Sequence, residues 1–438
     1  MTTVEESVSV TMGRVAPSFF KQWKAVIGYG AIALVSLVVF GFGTAGGDST
    51  SFAVSRPNDT IKLPHFSVPS QSTAIALSIV LLALVGFLAW AQRRTMRVGV
   101  WLPIAFAVVF MAALLTWAGA GRTNTDMAIT GLLVSGVFLA VPLVFGAMAG
   151  TLCERSGIVN IAIEGQLLGG AFLAAVVASV THNSYLGMLA APLAGALVGA
   201  LLALFAVRYW VDQIVVGVVL NVLVIGITNF LYSTVLTGNK DLNQAGAQIG
   251  AQGGVIMHSL PIPLLSDIPI LGPVLFDQNA LVYLMYAIVI VFQIMLFKSR
   301  WGLRVRAVGE HPMAADTVGI KVNRTRVRNT ILGGAIAGLG GAFFTVASGL
   351  AFSKEMTAGK GYIALAAMIL GRWNPRGALL AALLFGFADA LRIQLGVVGS
   401  AIPSEFLAML PYLATIFAVA GLVGRSRPPA AENIPYKK

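Results

Sequence analysis

Beyond Glu154, Arg155 and Ser156, which mark a membrane boundary, three polar side chains, Asn160, Glu164 and Gln166, enter the apolar run that continues to Ala175. A charge near the centre of a membrane helix costs about 2.5–3.5 kcal/mol on insertion scales, so Glu164 should face the protein interior. Two readings stand side by side. In one, Asn160, Glu164 and Gln166 line a pathway or hold its gate. In the other, Glu164 caps or braces a broken helix, through backbone freed near Gly157 and Gly165. Asn221 and Thr228 are seven apart and share a helical face, with Asn229 adjacent, so Asn221 and Asn229 join the candidate pathway residues. Tyr362, Trp373 and Phe230 carry rings able to stack on a base or sugar, although packing or an interfacial belt is the simpler account of each. Trp373 completes the candidate set. Asp389 is expected to pair locally near Arg392 or to meet headgroups.

A second chemistry lies between two apolar stretches. Lys298, Arg300, Arg304, Arg306, Lys321, Arg324, Arg326 and Arg328 crowd one short segment, a density that marks a cytoplasmic loop. In its middle, Gly-Glu-His-Pro followed by Met-Ala-Ala-Asp reads as a turn and a short helix, with Pro312 in the first turn, where its missing N–H costs nothing. A short amphipathic helix there is suited to docking a soluble partner.

No catalytic centre is visible. His65, His182, His258 and His311 all lie in predicted loops and form no ligand pairs. The segment TAGKGY, Thr357 to Tyr362, has the wrong spacing for a phosphate-binding loop. The chain should therefore hydrolyse no nucleotide itself, and any ATPase belongs to another chain. The single cysteine, Cys153, excludes an internal disulfide and reads as a small buried filler.

These residues must be positioned by membrane-spanning helices. The chain has 438 residues, 57% hydrophobic and 11% charged, the composition of a polytopic membrane protein. Its net charge of +12 reports topology and anionic lipid rather than nucleic acid. Apolar runs fall near 25–43, 71–91, 99–118, 127–151, 157–180, 185–207, 213–236, 280–297, 330–350, 361–371, 376–392 and 405–423. The run at 361–371 is too short to cross and reads as a re-entrant or broken helix. The fold class is all-α, with about ten to twelve transmembrane helices and both termini cytoplasmic. The first run reads as an uncleaved anchor rather than a signal peptide, because the polar stretch before it is long. On this topology 22 of the 29 Lys and Arg fall inside, which agrees with the orientation it was chosen to give.

Two outside loops are long: Thr44 to Ser70 is polar and joins the first two spans, and Thr237 to Asn279 reads as a passive linker or as a surface for a binding protein. The first three spans are plain apolar runs, whereas later ones are Gly-rich and carry polar residues. The chain thus divides into an N-terminal extension, 1–125, and a core, 126–438, with the basic loop at about 298–329. Small-residue pairs such as Gly334 with Gly338, Gly333 with Ala337 and Gly165 with Gly169 point to close helix packing.

Three stretches carry a family resemblance: Glu154 to Gly170, Arg306 to Ile320 and Gly359 to Gly386. Together with the tail RSRPPAAENIPYKK, they resemble the permease subunits of bacterial ABC importers for nucleosides and simple sugars, relatives of the branched-chain amino acid and ribose permeases. The resemblance implies two permease chains, different ones in this subfamily, enclosing one pathway for a nucleoside or sugar. It also implies ATP-binding subunits that carry ATP and Mg, and an extracellular substrate-binding lipoprotein. This chain itself would need no cofactor. Its ATPase-coupling positions would be Gly309, Glu310, Pro312, Ala314, Ala315, Gly319 and Ile320, with His311 where the family pattern leads one to expect Asn. Alternatives are the same machinery carrying a pentose-like sugar, or a secondary transporter coupled to protons through Glu164.

Overall fold

The structure, a computed structural model, describes residues 19–57, 59, 61–96, 98–99, 101–122, 126–244, 256–399, 404–409, 412 and 427–437. It is predominantly helical, and the chain forms two compact units.

The first unit comprises Met1–Phe52 and His65–Met127. It holds α1 (Phe19–Val35), α2 (Ser70–Arg93) and α3 (Trp101–Ala118). Ala33, Leu81 and Phe106 meet in its small core. Ser36 and Ser78 share a buried hydroxyl–hydroxyl bond of 2.9 Å, which satisfies two polar groups within apolar helices. The strand Ser49–Ala53 runs antiparallel to Phe66–Pro69, with Ser49 opposite Pro69 and Phe52 opposite Phe66.

The second unit, Ala53–Pro64 with Ala128–Lys438, carries the functional candidates. Its long helices are α4 (Ile129–Arg155), α5 (Ile163–Thr181), α6 (Ser184–Ala203), α7 (Gln213–Leu231) and α8 (Ala280–Lys298). They are followed by α9 (Arg300–Glu310), α10 (Pro312–Thr317), α11 (Val322–Gly341), α12 (Lys360–Leu370), α13 (Pro375–Val398) and α14 (Ser404–Ala408). Local chemistry sets many of these boundaries. Asn183 caps α6 by accepting from the Tyr185 and Leu186 N–H groups, and Asp212 caps α7 through Ile214 and Val215. Pro312 opens α10 after His311 leaves the helical conformation, where the sequence places the break.

Burial separates the helices. The most apolar windows of α4 and α5 are 67% buried, against 22% for α2, so α4 and α5 form the centre of the second unit. Their neighbours approach through glycine. A Cβ on Gly195 would lie 2.1 Å from the Gly334 carbonyl oxygen, and one on Gly338 would lie 2.6 Å from that of Ala191. Gly195 and Gly199 of α6 thus face Gly334 and Gly338 of α11, two small-xxx-small faces in mutual contact.

Nine helices among the described residues are long and apolar enough to cross a membrane. The twenty-residue α11 adds another long helix, whose first two turns hold Arg324, Arg326 and Arg328. Two predicted spans have other boundaries than expected. The run at 157–180 becomes helical only at Ile163, because residues 157–162 form a turn segment. The run at 330–350 belongs to a helix that starts at Val322 and ends at Gly341, followed by a single tight turn, Ala342–Phe344. The predicted span 405–423 lies mostly outside the described residues, which include 405–409 and 412 of it.

Candidate functional site

The first cluster forms where two broken helices meet. α12 packs alongside α4 in the same direction: Gly146 faces Ala364, and Gly150 faces Met368. At the far end, the Arg155 guanidinium Nε donates to the Trp373 carbonyl at 3.1 Å. With eleven residues, α12 is about 16 Å long, roughly half the hydrocarbon thickness. Its N-terminus therefore lies level with the middle of α4.

Glu164, in the first turn of α5, reaches that N-terminus. Its Oε1 accepts from the Thr357 hydroxyl at 2.6 Å and from the Gly359 N–H at 2.8 Å, and its Oε2 accepts from the Gly361 N–H at 2.6 Å. The carboxylate thus caps another helix, satisfying N–H groups that the start of α12 leaves open, in the field of its positive end. Gly359 holds a left-handed φ of 78°, suited to glycine. The Lys360 ammonium beside it pairs with Asp389 on α13, so Asp389 meets a lysine from another element rather than Arg392.

The non-helical approach to α5 is satisfied by side chains of α7. The Val159 N–H donates to Gln213 Oε1 at 2.7 Å. Asn221 accepts from the Gly165 N–H at 2.8 Å and donates to the Ile161 carbonyl at 2.9 Å, spanning the break. Its amide also donates to the Tyr362 hydroxyl at 3.2 Å. Irregular backbone at membrane depth survives only with such partners. Gln213 has no place among the sequence candidates because it stands at a predicted span boundary, where a polar residue needs no explanation.

The remaining candidates are distributed unevenly. Asn160 and Gln166 exchange two amide hydrogen bonds, at 3.0 and 3.2 Å, and both are fully buried. They clasp the two sides of the turn before α5 and meet no open space. Asn229 lies two helical turns beyond Asn221 and donates to Glu355 at 3.3 Å. Trp373 is not with this group. Its indole N–H donates to Glu154, at the end of α4 where Arg155 also lies.

That end of the unit holds the second cluster. Gly309 packs so closely that a Cβ would lie 2.2 Å from the Arg155 carbonyl oxygen. Glu310 Oε1 lies 4.0 Å from the Arg155 guanidinium. Ala315 is buried with Val308 and Val322, and Ile320 packs against them. Gly319 takes a left-handed φ of 86° just beyond α10. Pro312 opens α10, and Ala314 is exposed on it. Beside Ala314, Met313 and Val318 are each 75% exposed, an apolar pair that the sequence reading does not single out. Gly309 and Ala315 thus hold the base of α10, while Met313, Ala314 and Val318 form its free face.

The C-terminal segment closes this cluster. The Ala431 N–H donates to the Gly309 carbonyl at 2.8 Å, and the Ala430 N–H donates to Glu310 Oε2 at 3.2 Å. Arg326, almost fully buried, donates to the Ile434 carbonyl at 2.8 Å. Burial pushes the Glu432 carboxyl, which lies near that of Glu154, up to about 7.

Residues 132–420 match the family described as branched-chain amino acid transport system / permease component. The chain belongs to this permease family. It is 38% identical to the guanosine ABC transporter permease protein NupQ of Bacillus subtilis over 313 residues, 68% of this chain and 94% of that one. It is equally 38% identical to the nucleoside ABC transporter permease protein NupC of Lactococcus lactis over 317 residues, 70% of this chain and 96% of that one. A putative glucose ABC transporter permease, TsgC13 of Haloferax volcanii, is 33% identical over 266 residues, 60% of this chain and 77% of that one. No solved structure matches the chain significantly. The permease is thus a multi-span membrane protein of a transport family, and its named relatives are transporter subunits rather than ATPases.

Proposed function

We propose that this permease forms the membrane pathway of an ATP-driven importer for nucleosides, together with a second, different permease chain. The two relatives at 38% identity are named for guanosine and nucleoside transport, while the glucose-named relative is less similar and matches a smaller share of the chain. The observation that carries the ATP-driven reading is the free face of α10. Met313, Ala314 and Val318 project from a short helix whose base is locked by Gly309 and Ala315. ATP-binding subunits, which hold ATP and Mg, dock on this face; the permease carries no cofactor of its own. An extracellular substrate-binding lipoprotein delivers the nucleoside from the opposite side. The Lys and Arg distribution supports cytoplasmic termini at both ends.

The broken-helix junction lies beside the pathway. The half-exposed Tyr362, whose hydroxyl accepts from the buried Asn221 amide, offers a ring of the kind a nucleoside needs. Proton coupling through Glu164 fits the geometry poorly, because three donors already fix its carboxylate as a helix cap.

Co-expression with the partner permease and ATP-binding subunits, followed by reconstitution with the binding protein, tests this reading. Guanosine or another nucleoside should stimulate ATP hydrolysis and ATP-dependent uptake. Stimulation by glucose or a pentose, with none by nucleosides, would assign the sugar alternative. Uptake by the permease alone, abolished by a proton uncoupler, would replace the ATP-driven reading.

A further inference from the structure

The α6–α11 crossing continues toward α10 as a groove. In that crossing Gly195 lies against Gly334 and Gly199 against Thr330, so the two helices run antiparallel. Beyond Gly199, glycine gives way to larger residues, and the helices border an open groove of ≈ 820 Å³. Leu204, Val207 and Ile331 contribute an apolar wall, and Trp210 stands at the rim.

The charges in this groove are of one sign. Arg208, Arg324 and Arg328 line it, and no carboxylate does. Arg324 and Arg328 are four residues apart on α11 and therefore share a face. Arg208 is the last residue of a membrane-length helical span, Ser184–Arg208. None of the three takes part in an ion pair among the described residues. A fourth cation, the Lys437 ammonium, lies 4.9 Å over the Trp210 ring. Uncompensated arginines on a cytoplasmic loop are ordinary. Here they stand at the end of a span and border an apolar groove between two helices.

We propose that this groove is a binding site for an anionic phospholipid. The headgroup phosphodiester sits against Arg208, Arg324 and Arg328, with guanidinium groups suited to bidentate phosphate contacts. One acyl chain follows the apolar wall between α6 and α11 toward the glycine crossing. Trp210 occupies the interfacial level, as tryptophans at membrane boundaries do. Basic pockets between helices are a recurrent form of anionic headgroup recognition. The site also links lipid to the coupling region, since Arg324 and Arg328 stand at the start of α11, directly after α10 and Gly319.

The test uses the full chain purified in mild detergent, with native mass spectrometry to count retained lipids. Phosphatidylglycerol should be retained over phosphatidylcholine by roughly tenfold or more, and the double substitution Arg324→Gln, Arg328→Gln should weaken its retention about thirtyfold. Equal retention of the two lipids, or phosphatidylglycerol binding unchanged by the double substitution, would overturn the proposal. Inorganic phosphate and the deacylated headgroup are added as competitors. Displacement of the lipid by either at equal concentration would assign the arginines to a free phosphate instead.

Should the double variant not assemble, the wild-type chain is labelled with a diazirine-bearing phosphatidylglycerol. Crosslinks are then expected in peptides covering 200–208 and 323–331. Labelling confined to other peptides would refute the site. So would a crosslink from Trp210→Cys to another protein subunit in the assembled complex without lipid labelling, because the groove would then be a protein interface.

Discussion

Glu164 and Gly361 meet at the junction of two broken helices: the carboxylate accepts the Gly361 N–H at 2.6 Å, and a Cβ at position 361 would lie 2.5 Å from the Glu164 backbone nitrogen. The charge that is costly on an apolar helix thus completes a neighbouring one. The close approach also explains why glycine follows Lys360. Any side chain there would push the α12 N-terminus away from its cap.

Replacing Glu164 separates a capping role from a pathway role. Glu164→Ala leaves three donors without their acceptor, which should cost roughly 3 kcal/mol or more of stability. Glu164→Gln keeps the shape but presents an NH₂ group to N–H donors, so it should also lower the melting temperature in detergent, by less than the alanine. A glutamine variant that melts like the wild type yet fails to transport would identify Glu164 as a pathway residue instead.

Gly361→Ala tests the same contact from the other side. The added methyl group meets backbone rather than a movable side chain. The expected loss is about 1–3 kcal/mol, the usual range for overpacking a tight core. Gly226→Ala serves as a control, since a Cβ there would meet nothing within 4 Å. Equal melting temperatures for the two variants would mean that the helices can separate without penalty.

The α10 face predicts a split between docking and folding. Met313→Glu combined with Val318→Glu alters two exposed side chains, so thermal stability should be unchanged while ATP-binding subunits no longer co-purify. Gly309→Ala should do the reverse first, because its Cβ would strike the Arg155 carbonyl and lower stability. Full recovery of ATP-binding subunits with the glutamate pair would place the docking surface elsewhere.

Tail docking should depend on pH. The ordinary value for a glutamic acid is 4.5, and burial raises Glu432 to about 7 in the folded chain. A raised acid binds its proton more tightly when folded, so its contribution is complete below about pH 4.5 and disappears as pH rises through about 7. Amide exchange at Ala431, corrected for its intrinsic pH dependence, should therefore be slower at pH 5.5 than at pH 8. Glu432→Gln, which mimics the protonated form, should keep the slow exchange at both values. Protection that is the same at both pH values in the wild type would show that Glu432 does not control the tail.

Much of this molecule is written in local pattern. The long apolar runs, the Asp212 and Asn183 caps, the Pro312 break and the charge density from Lys298 to Arg328 depend only on neighbours in the chain. The family likeness was legible for the same reason, since its motifs are contiguous. Glu164 could be flagged as costly because a lone carboxylate in an apolar run violates a local rule. Its partners were not legible, because Thr357, Gly359 and Gly361 lie almost two hundred residues away.

What the sequence by itself determined is that this chain folds as many apolar helices with a basic loop and a small number of buried polar groups that need partners. The tertiary structure alone decided which partners those are. It sent Trp373 to Glu154 rather than to Glu164, matched Asp389 with Lys360, and set Gly195 and Gly199 against Gly334 and Gly338. It also brought the last residues of the chain onto Gly309 and Arg326. The physical reason is that hydrophobicity and helix propensity are summed over neighbouring residues, whereas the satisfaction of a buried hydrogen bond or a missing Cβ depends on what arrives from the other side.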